Sequence, residues 1–571
     1  MVKNQDYIYK LWIEKNEPNE KDLTEMKKEI SNFKYKPKIS IIMPTWNTEE
    51  IWLRKAIDSV LNQIYENWEL CITDGGSSVP HVKEVLKIYA EKDKRIKIKF
   101  LEKNLGIAGN SNEALKLATG EFIGFLDHDD ELAPFALYEV VKLLNINPEI
   151  DFIYSDEDKI DRECNRTKPF FKPDYSPDMF LSYNYIAHFT VIRKSLINKV
   201  KGFRLGYDGS QDYDLFLRVL ECTNKIAHIP KIFYHWRMTE TSAAASTSAK
   251  PYAYEAAKRA LKDAMERRKI EIEGVYDGLR IGTYRVKYKI KGSPEIAIII
   301  PTKDKVEVLK ECIESILTKT EYKHFKIFII DNNSQEEKTF DYYETLKSFS
   351  LIKILEYNKP FNFSAIINFA VSKIDNEYIL FLNNDTKVIT SEWLSAMVEH
   401  IQRKEVGAVG AKLLYPDNTI QHAGVILGLG VGPYRVAGHS HKYISNSANG
   451  YFYRPHVIQN LSAVTGACML TKKSLFVEVG GFDEKNLPIA FNDVDYCLKL
   501  RKKGYLIVYT PYAVLYHYES LSRGHEDTPE KQRRFLKEIK YMLKKWGQIL
   551  NNDPYYNPNL SKRSEKFVIE V

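Results

Sequence analysis

The chain has 571 residues, 44% of them hydrophobic, with a mean hydropathy of −0.37. At about 150 residues per domain this exceeds one compact core, and the composition excludes disordered and collagen-like classes. Lys and Arg number 83 against 76 Asp and Glu, a net charge of +7, which is too dilute for a dedicated nucleic-acid binder but suits an anionic ligand or an acidic membrane surface.

The start, MVKNQDYIYK, lacks an apolar h-region, and no stretch approaches the roughly 18 apolar residues needed to span a bilayer. The six cysteines stand singly, with no CxxC pair, and read as free thiols of a reducing cytoplasm. The expectation is a cytoplasmic chain, with peripheral contact at the inner face of the cell membrane left open. Residues 1–36 predict a helical segment in which Tyr7, Ile8, Leu11 and Trp12 share helical spacing and pack on one domain as a brace.

From residue 37 the chain begins a pattern that it later repeats. ISIIMP at 39–44 returns as IAIIIP at 296–301, and Thr45 and Thr302 follow. Each is a β-branched run that Pro is expected to end. A helical pattern comes next, LRKAIDSVLNQ or LKECIESILTK, and then a second apolar run closed by an acid, Asp74 or Asp331, 30 positions after the Pro in both copies. Strand, helix, strand predicts a βαβ opening and a parallel sheet.

GEFIGFLDHDD then places Asp129 where NEYILFLNNDT places Asp385, at an offset of 256 against 257 for the prolines. Farther on, Asp212 in SQDYD aligns with Asp493 in FNDVD at 281, and His235 in FYHWR with His517 in LYHYE at 282. The second copy therefore gains about 25 residues, expected within 415–460. The fold class is α/β, with a helical segment to residue 36, a first domain over 37–285 and a second over 294–571; KIKGSPE marks the joint.

Acids at the carboxyl ends of parallel strands are site candidates. A buried strand that ends in three carboxylates, as in FIGFLDHDD, needs a cation or water beside them, and oxygen donors with a diphosphate suit Mg or Mn. Helix N-capping is the bland alternative, and recurrence at matched spacing favours function. Asp214 and Asp495 are read as structural. Asp156, Glu157 and Asp158 stand between a sugar contact and a solvated acidic turn. His188, aligned with Ala467, stands between an acceptor contact and a packed histidine.

Both copies resemble the family 2 inverting glycosyltransferases of GT-A fold, and their tandem arrangement resembles bacterial chondroitin, hyaluronan, O-antigen and rhamnan synthases. YSDEDKI, PFNFSAIINFA, QHAGVILG, AVTGACML and RGHEDTPEKQ carry the likeness to the last two. The resemblance implies two GT-A (Rossmann-like, mostly parallel) domains. Pro44, Thr45 and Asp74, and Pro301, Thr302 and Asp331, would line the nucleotide pockets. Asp127 would lie near the ribose, with Asn383 as its altered counterpart. Asp129 and Asp385 would bind the metal, His235 and His517 would supply a further ligand, and Asp212 and Asp493 would act as catalytic bases, the helix N-termini favouring their charge.

The function implied is bifunctional, metal-dependent extension of a bacterial surface polysaccharide from UDP- or dTDP-sugars onto a lipid-linked or free oligosaccharide, without nucleic acid and with oligomeric state open. Alternatives are one catalytic and one degenerate acceptor-binding domain, the NND copy being the degenerate one, or a carbohydrate-binding scaffold. A nucleotidyltransferase would need a Gly-rich phosphate loop after its first strand, which TWNTEE and TKDKVE lack.

Three further segments invite readings. TETSAAASTSAKP at 239–251 predicts a mobile loop that could act as a lid. His439 and His441 are read as solvent-facing on a Gly-rich loop. Phe535, Leu536, Ile539, Met542, Leu543 and Trp546 form an apolar stripe bordered by Lys and Arg, which packs on its own domain or lies on anionic lipid.

Overall fold

A computed structural model describes residues 2–238, 251–430, 432, 434–519 and 528–571. The first sheet is built from β1 (Ile39–Thr45), β2 (Trp68–Asp74), β3 (Ile96–Phe100), β4 (Phe122–Phe125), β5 (Glu131–Leu132), β6 (Phe152–Ile160), β7 (Arg166–Phe170), β8 (Thr190–Arg193) and β9 (Ile226–Arg237). A hairpin follows, β10 (Ile272–Asp277) and β11 (Tyr284–Tyr288). The second half holds β12 (Ile296–Thr302), β13 (Phe325–Asp331), β14 (Ile352–Glu356), β15 (Tyr378–Leu382), β16 (Thr386–Val388), β17 (Val406–Leu414), β18 (Ile420–His422), β19 (Val425–Leu427), β20 (Ala437–His439), β21 (Gln459–Leu461), β22 (Cys468–Lys472) and β23 (Leu506–His517).

The duplication seen in sequence is a duplication of topology. The strand order β3-β2-β1-β4-β8-β6-β9-β5 recurs as β14-β13-β12-β15-β22-β17-β23-β16. The register recurs as well: Thr45 lies opposite Asp74, and Thr302 opposite Asp331. β1, β2, β12 and β13 run parallel and are almost wholly buried, which is why they read as unbroken apolar runs rather than alternating ones.

Pro44 and Pro301 do not end their strands; each strand runs one residue further. The pairing of β1 with β4 stops at Ile42, and that of β12 with β15 at Ile299, so the missing N–H falls where one neighbour has already left the ladder. The extra length of the second half lies where expected. Leu414 to Cys468 spans 54 positions, against 30 from Ile160 to Thr190, and the added chain carries β18 to β21.

The two halves are packed together. Asp178, on a short helix of the first half, is buried against Arg403 and takes a hydrogen bond of 2.6 Å from Asn460 Nδ2. Arg285, in β11, reaches Glu392 and Glu399 of the second half, so position 285 falls inside a strand that bridges the halves. The last residues cross back to the first half: Asn557 Nδ2 donates to Asp156 Oδ2 and to the Lys172 carbonyl, both at 2.8 Å.

The N-terminal helix Val2–Asn16 packs on β7 through Tyr9 and Trp12, whereas Tyr7, expected in the apolar stripe, is 62% exposed. Trp12 meets Phe171 edge to face at 4.9 Å, in a cluster shared with Tyr556 and Phe567 from the tail. The helix Pro529–Asn551 lays Ile539, Met542, Trp546 and Leu550 into the second-half core, while Leu536 of the same stripe is 43% exposed. All six cysteines are free thiols. Among the described residues, no helix is long and apolar enough to cross a membrane.

Candidate functional site

A cavity of about 380 Å³ opens beyond the carboxyl ends of β12 and β15, the place where an open α/β sheet binds ligands. Pro301, Thr302, Asn383, Asp385, Asp493 and His517 all line it. Asp493 lies in the first turn of the helix Asn492–Lys502, where Gly466 N–H donates to its Oδ2 at 2.9 Å and Val494 N–H to its Oδ1 at 2.8 Å. Burial pushes its carboxyl above the ordinary carboxylate range, partly offset by those amides.

Asp385 and His517 form a pair, with Nε2 3.2 Å from Asp385 Oδ1. The other ring nitrogen, Nδ1, is 2.6 Å from Gln421 Oε1, so the amide oxygen fixes the Nδ1–H tautomer and leaves Nε2 an acceptor, with Asn383 Nδ2 donating to it at 3.2 Å beside Asp385. That donor set fits a divalent cation. Among the described residues no three His, Cys, Asp or Glu side chains converge, so protein would supply a pair, and diphosphate and water the remaining positions.

Asp331 ends β13 opposite Thr302 but is not among the residues that line the cavity. It accepts hydrogen bonds from Ser334 and from Tyr343 OH at 2.8 Å. Its counterpart Asp74 is fully buried and accepts from Ser77 N–H at 3.1 Å, but its Oδ2 has no partner, and neither has the buried Thr45 Oγ1 beside it. Buried polar atoms left unsatisfied suit a donor supplied by a ligand, such as a base N–H.

The first half holds its acids differently. Asp212 lies in the first turn of the helix Gln211–Leu220 and accepts a 2.8 Å hydrogen bond from Asn184 Nδ2; burial raises its pKa. Asp130 is buried and accepts from Tyr234 OH at 2.6 Å and from Arg237 N–H at 2.7 Å. Asp129 is raised by burial and by the Asp127 charge, with His128 acting the other way. His188 stacks on Tyr234 at 4.3 Å and lies 3.4 Å from Glu157. Burial alone would lower its pKa, but Glu157 outweighs it and pushes the imidazole up to about 9. By register (Phe122 opposite Arg193, Tyr378 opposite Lys472) His188 takes the station of Ala467, which lines the second-half cavity.

The strands do not bring His235 to Asp129. Nδ1 of His235 lies 2.6 Å from Asp158 Oδ1, and Asp158 also accepts from Tyr9 OH and from Arg166 Nε. The ladders explain why. Glu131 pairs with His235, and its counterpart Lys387 pairs with Tyr516; Asp158 pairs with His235, and its counterpart Leu414 pairs with Tyr516. Both registers keep the offset of 281 that relates Asp212 to Asp493, so His517 matches Trp236. Aligning the two histidines at 282 slips the strand by one residue, and one residue turns a side chain to the opposite face.

Other expectations change with burial. Asp156, Glu157 and Asp158 form neither a solvated turn nor an open sugar contact: they lie in β6, buried, and are paired with His228, Lys172 and the Arg166–Tyr9–His235 group respectively. Glu157 is held down to about 2, because the Lys172 charge and His188 outweigh the burial that would raise it. Asp214 is buried against Arg204 and Arg218, and Asp495 against Lys499, Lys545 and Trp546 Nε1. His441 is buried rather than solvent-facing, and His439, 2.8 Å from His422, lines the cavity.

Sequence reading did not assign Gln421, Lys442, Thr465 and Glu519 to the cavity wall, and it took His439 there as solvent-facing. QHAGVILG and GHSHKY contain three of them and carried a signal, since polar residues embedded in apolar runs need partners. The segment 239–250 and residues 523–527 of RGHEDTPEKQ lie outside the described residues.

The profile described as glycosyl transferase family 2 matches residues 40–201 and 297–479. Uncharacterized protein y4gI of Sinorhizobium fredii is 44% identical over 93% of this chain and 58% of its own length. O-antigen biosynthesis protein RfbC of Myxococcus xanthus is 36% identical over 97% of this chain and 42% of its own. The chain thus spans about half the length of these relatives. Chondroitin synthase of Escherichia coli is 30% identical over 36% of this chain and 30% of its own length. Among solved structures, S. aureus TarS with UDP-GlcNAc shows 20% identity over 40% of this chain and 66% of that one, with a TM-score of 0.34.

Proposed function

Because the chain belongs to glycosyl transferase family 2, whose members transfer sugars with inversion, and is related to O-antigen and polysaccharide synthases, we propose that it extends a bacterial surface polysaccharide from nucleotide-sugar donors, using two transfer sites. One observation carries the reading: Asp385 and His517, the pair suited to a cation, share one cavity with Asp493, a carboxylate raised by burial.

In the second half Asp331 and Thr302 receive the nucleoside, with Asn383 and Asn384 near the ribose; Asp385 and His517 would hold Mn or Mg. When bound, that ion neutralises charge on the departing diphosphate. Asp493 takes the proton of the acceptor hydroxyl as the hydroxyl oxygen bonds to the anomeric carbon and the bond to the diphosphate breaks on the opposite face, so the configuration inverts. The Gly466 and Val494 amides aim the carboxylate and offset part of the burial that raises its pKa. In the first half Asp212, aimed by Asn184, is the corresponding base, and Asp74, Thr45, Pro44 and Asp127 receive the donor.

The donor is a UDP- or dTDP-sugar and the acceptor a lipid-linked or free oligosaccharide; rhamnan-like motifs favour dTDP-rhamnose. The test is product analysis with Asp212→Asn and Asp493→Asn in the full chain. Each variant is expected to lose a different linkage. Retention of both linkages by either variant refutes two-site transfer, and loss of both linkages in only one variant supports a single catalytic half with an acceptor-binding partner.

A further inference from the structure

The two halves match strand for strand, yet at the station where His517 faces Asp385 the first half has Trp236. Trp236 has no lone pair to give a metal: its indole N–H is a donor only. Its ring lies 5.4 Å from His188 and under the Lys159 ammonium at 4.7 Å. The neighbouring His235 leaves the strand on the opposite face, where Asp158 holds it within a buried group that includes Arg166, Tyr9 and Glu17. Moving His235 to Asp129 would leave the Asp158 carboxylate with one fewer compensating partner in a buried place.

The space differs as well as the ligands. Where Ala467 leaves the second-half cavity open, the first half places the His188 ring, stacked on Tyr234, which in turn binds Asp130 and receives the Asp127 N–H. No histidine of β9 faces Asp129; the nearest ring is that of His128, whose Nδ1 lies 3.9 Å from Asp129 Oδ1 and is already bonded to Thr48 Oγ1 at 2.8 Å, while the Asp129 backbone carbonyl accepts from Arg237 Nε at 2.8 Å. These residues do not fit the cation that Asp385, His517 and Gln421 fit. Resting on the two-site reading above, we infer that the chain takes one divalent cation, in its second half, and that the first half receives its anionic ligand without one.

The test is Mn²⁺ titration of the full chain with saturating UDP, and in parallel with dTDP, followed by the EPR signal of the free aqua ion. One bound ion per chain is expected. His517→Ala should weaken it by about 10-fold or more, while Asp129→Asn and His235→Gln leave stoichiometry and affinity unchanged. Should His235→Gln fail to fold, Asp129→Asn alone answers the question. Two bound ions per chain, or loss of the bound ion in Asp129→Asn, overturns the inference and leaves two-site transfer standing. No bound ion with either nucleotide overturns both the inference and the cation role proposed for Asp385 and His517.

Discussion

Asp493 is buried, raised in pKa and aimed by two backbone amides. A base must be ionised to accept a proton, so the transfer that depends on Asp493 is expected to fall as pH drops through that raised value. The acid limb of its kcat/KM profile should therefore lie above the ordinary carboxylate range; a rate that stays flat down to pH 4 would contradict this. Gln421 Oε1 accepts the His517 Nδ1–H at 2.6 Å and so sets the tautomer of that ring. Gln421→Leu is expected to weaken Mn²⁺ by about 10–100-fold, read by the same EPR titration, with thermal unfolding in the absence of metal nearly unchanged.

At this scale the acids were legible and the histidines only half so. Asp127, Asp129, Asp212, Asp385 and Asp493 each end an apolar run or open a helix, a pattern that depends on local chain alone. The role of a histidine depended on which face of a strand it leaves, and the difference between offsets of 281 and 282 carried that information. Matching letters, FYH with LYH, concealed it.

Among the elements, the helix Pro529–Asn551 shows how an amphipathic pattern is resolved by packing. Its Thr528 N-cap accepts from Lys531 N–H at 3.3 Å, its apolar face fills the second-half core, and Trp546 Nε1 donates to the buried Asp495 at 2.7 Å. Trp546→Ala is expected to destabilise the fold by about 3–5 kcal/mol, through the cavity left and the weakened cover over a buried carboxylate. Urea unfolding measures it, and a loss under 1 kcal/mol would show that the helix contributes little to the core. Strand β6 gives the converse lesson. YSDEDKI reads as either a sugar contact or a solvated acidic turn, yet it is an interior strand, because Lys172, His228 and Arg166 come from elsewhere in the chain to neutralise its three acids.

Over the whole molecule, the second half buries histidines in neutral form. Burial pushes His400 down to about 3, with the Arg403 charge adding to it, and His439 and His456 down to about 4; His422 and His441 are also lowered. Their folded values lie below the unfolded one, near 6.5, so the unfolded chain binds protons first as pH falls. The stability they contribute is present above pH 6.5 and is lost progressively toward pH 4. Tm is expected to drop steeply over that window, and a Tm unchanged from pH 7 to 5 would show that these rings are protonated without cost. His188 has the opposite sign: its contribution is full below 6.5 and is lost as pH rises through about 9.

The sequence by itself determined that two copies of one α/β unit lie in tandem, which strands carry the acids, and where the second copy is longer. These follow from local periodicity and spacing, which persist whatever the chain packs against. Only the tertiary structure decided which side chains line the second-half cavity, which histidine faces a carboxylate there, and how the tail and the N-terminal helix tie into the first half. Those depend on strand register, where a one-residue step exchanges an imidazole for an indole, and on burial contributed by residues up to 401 positions apart, as with Asn557 and Asp156.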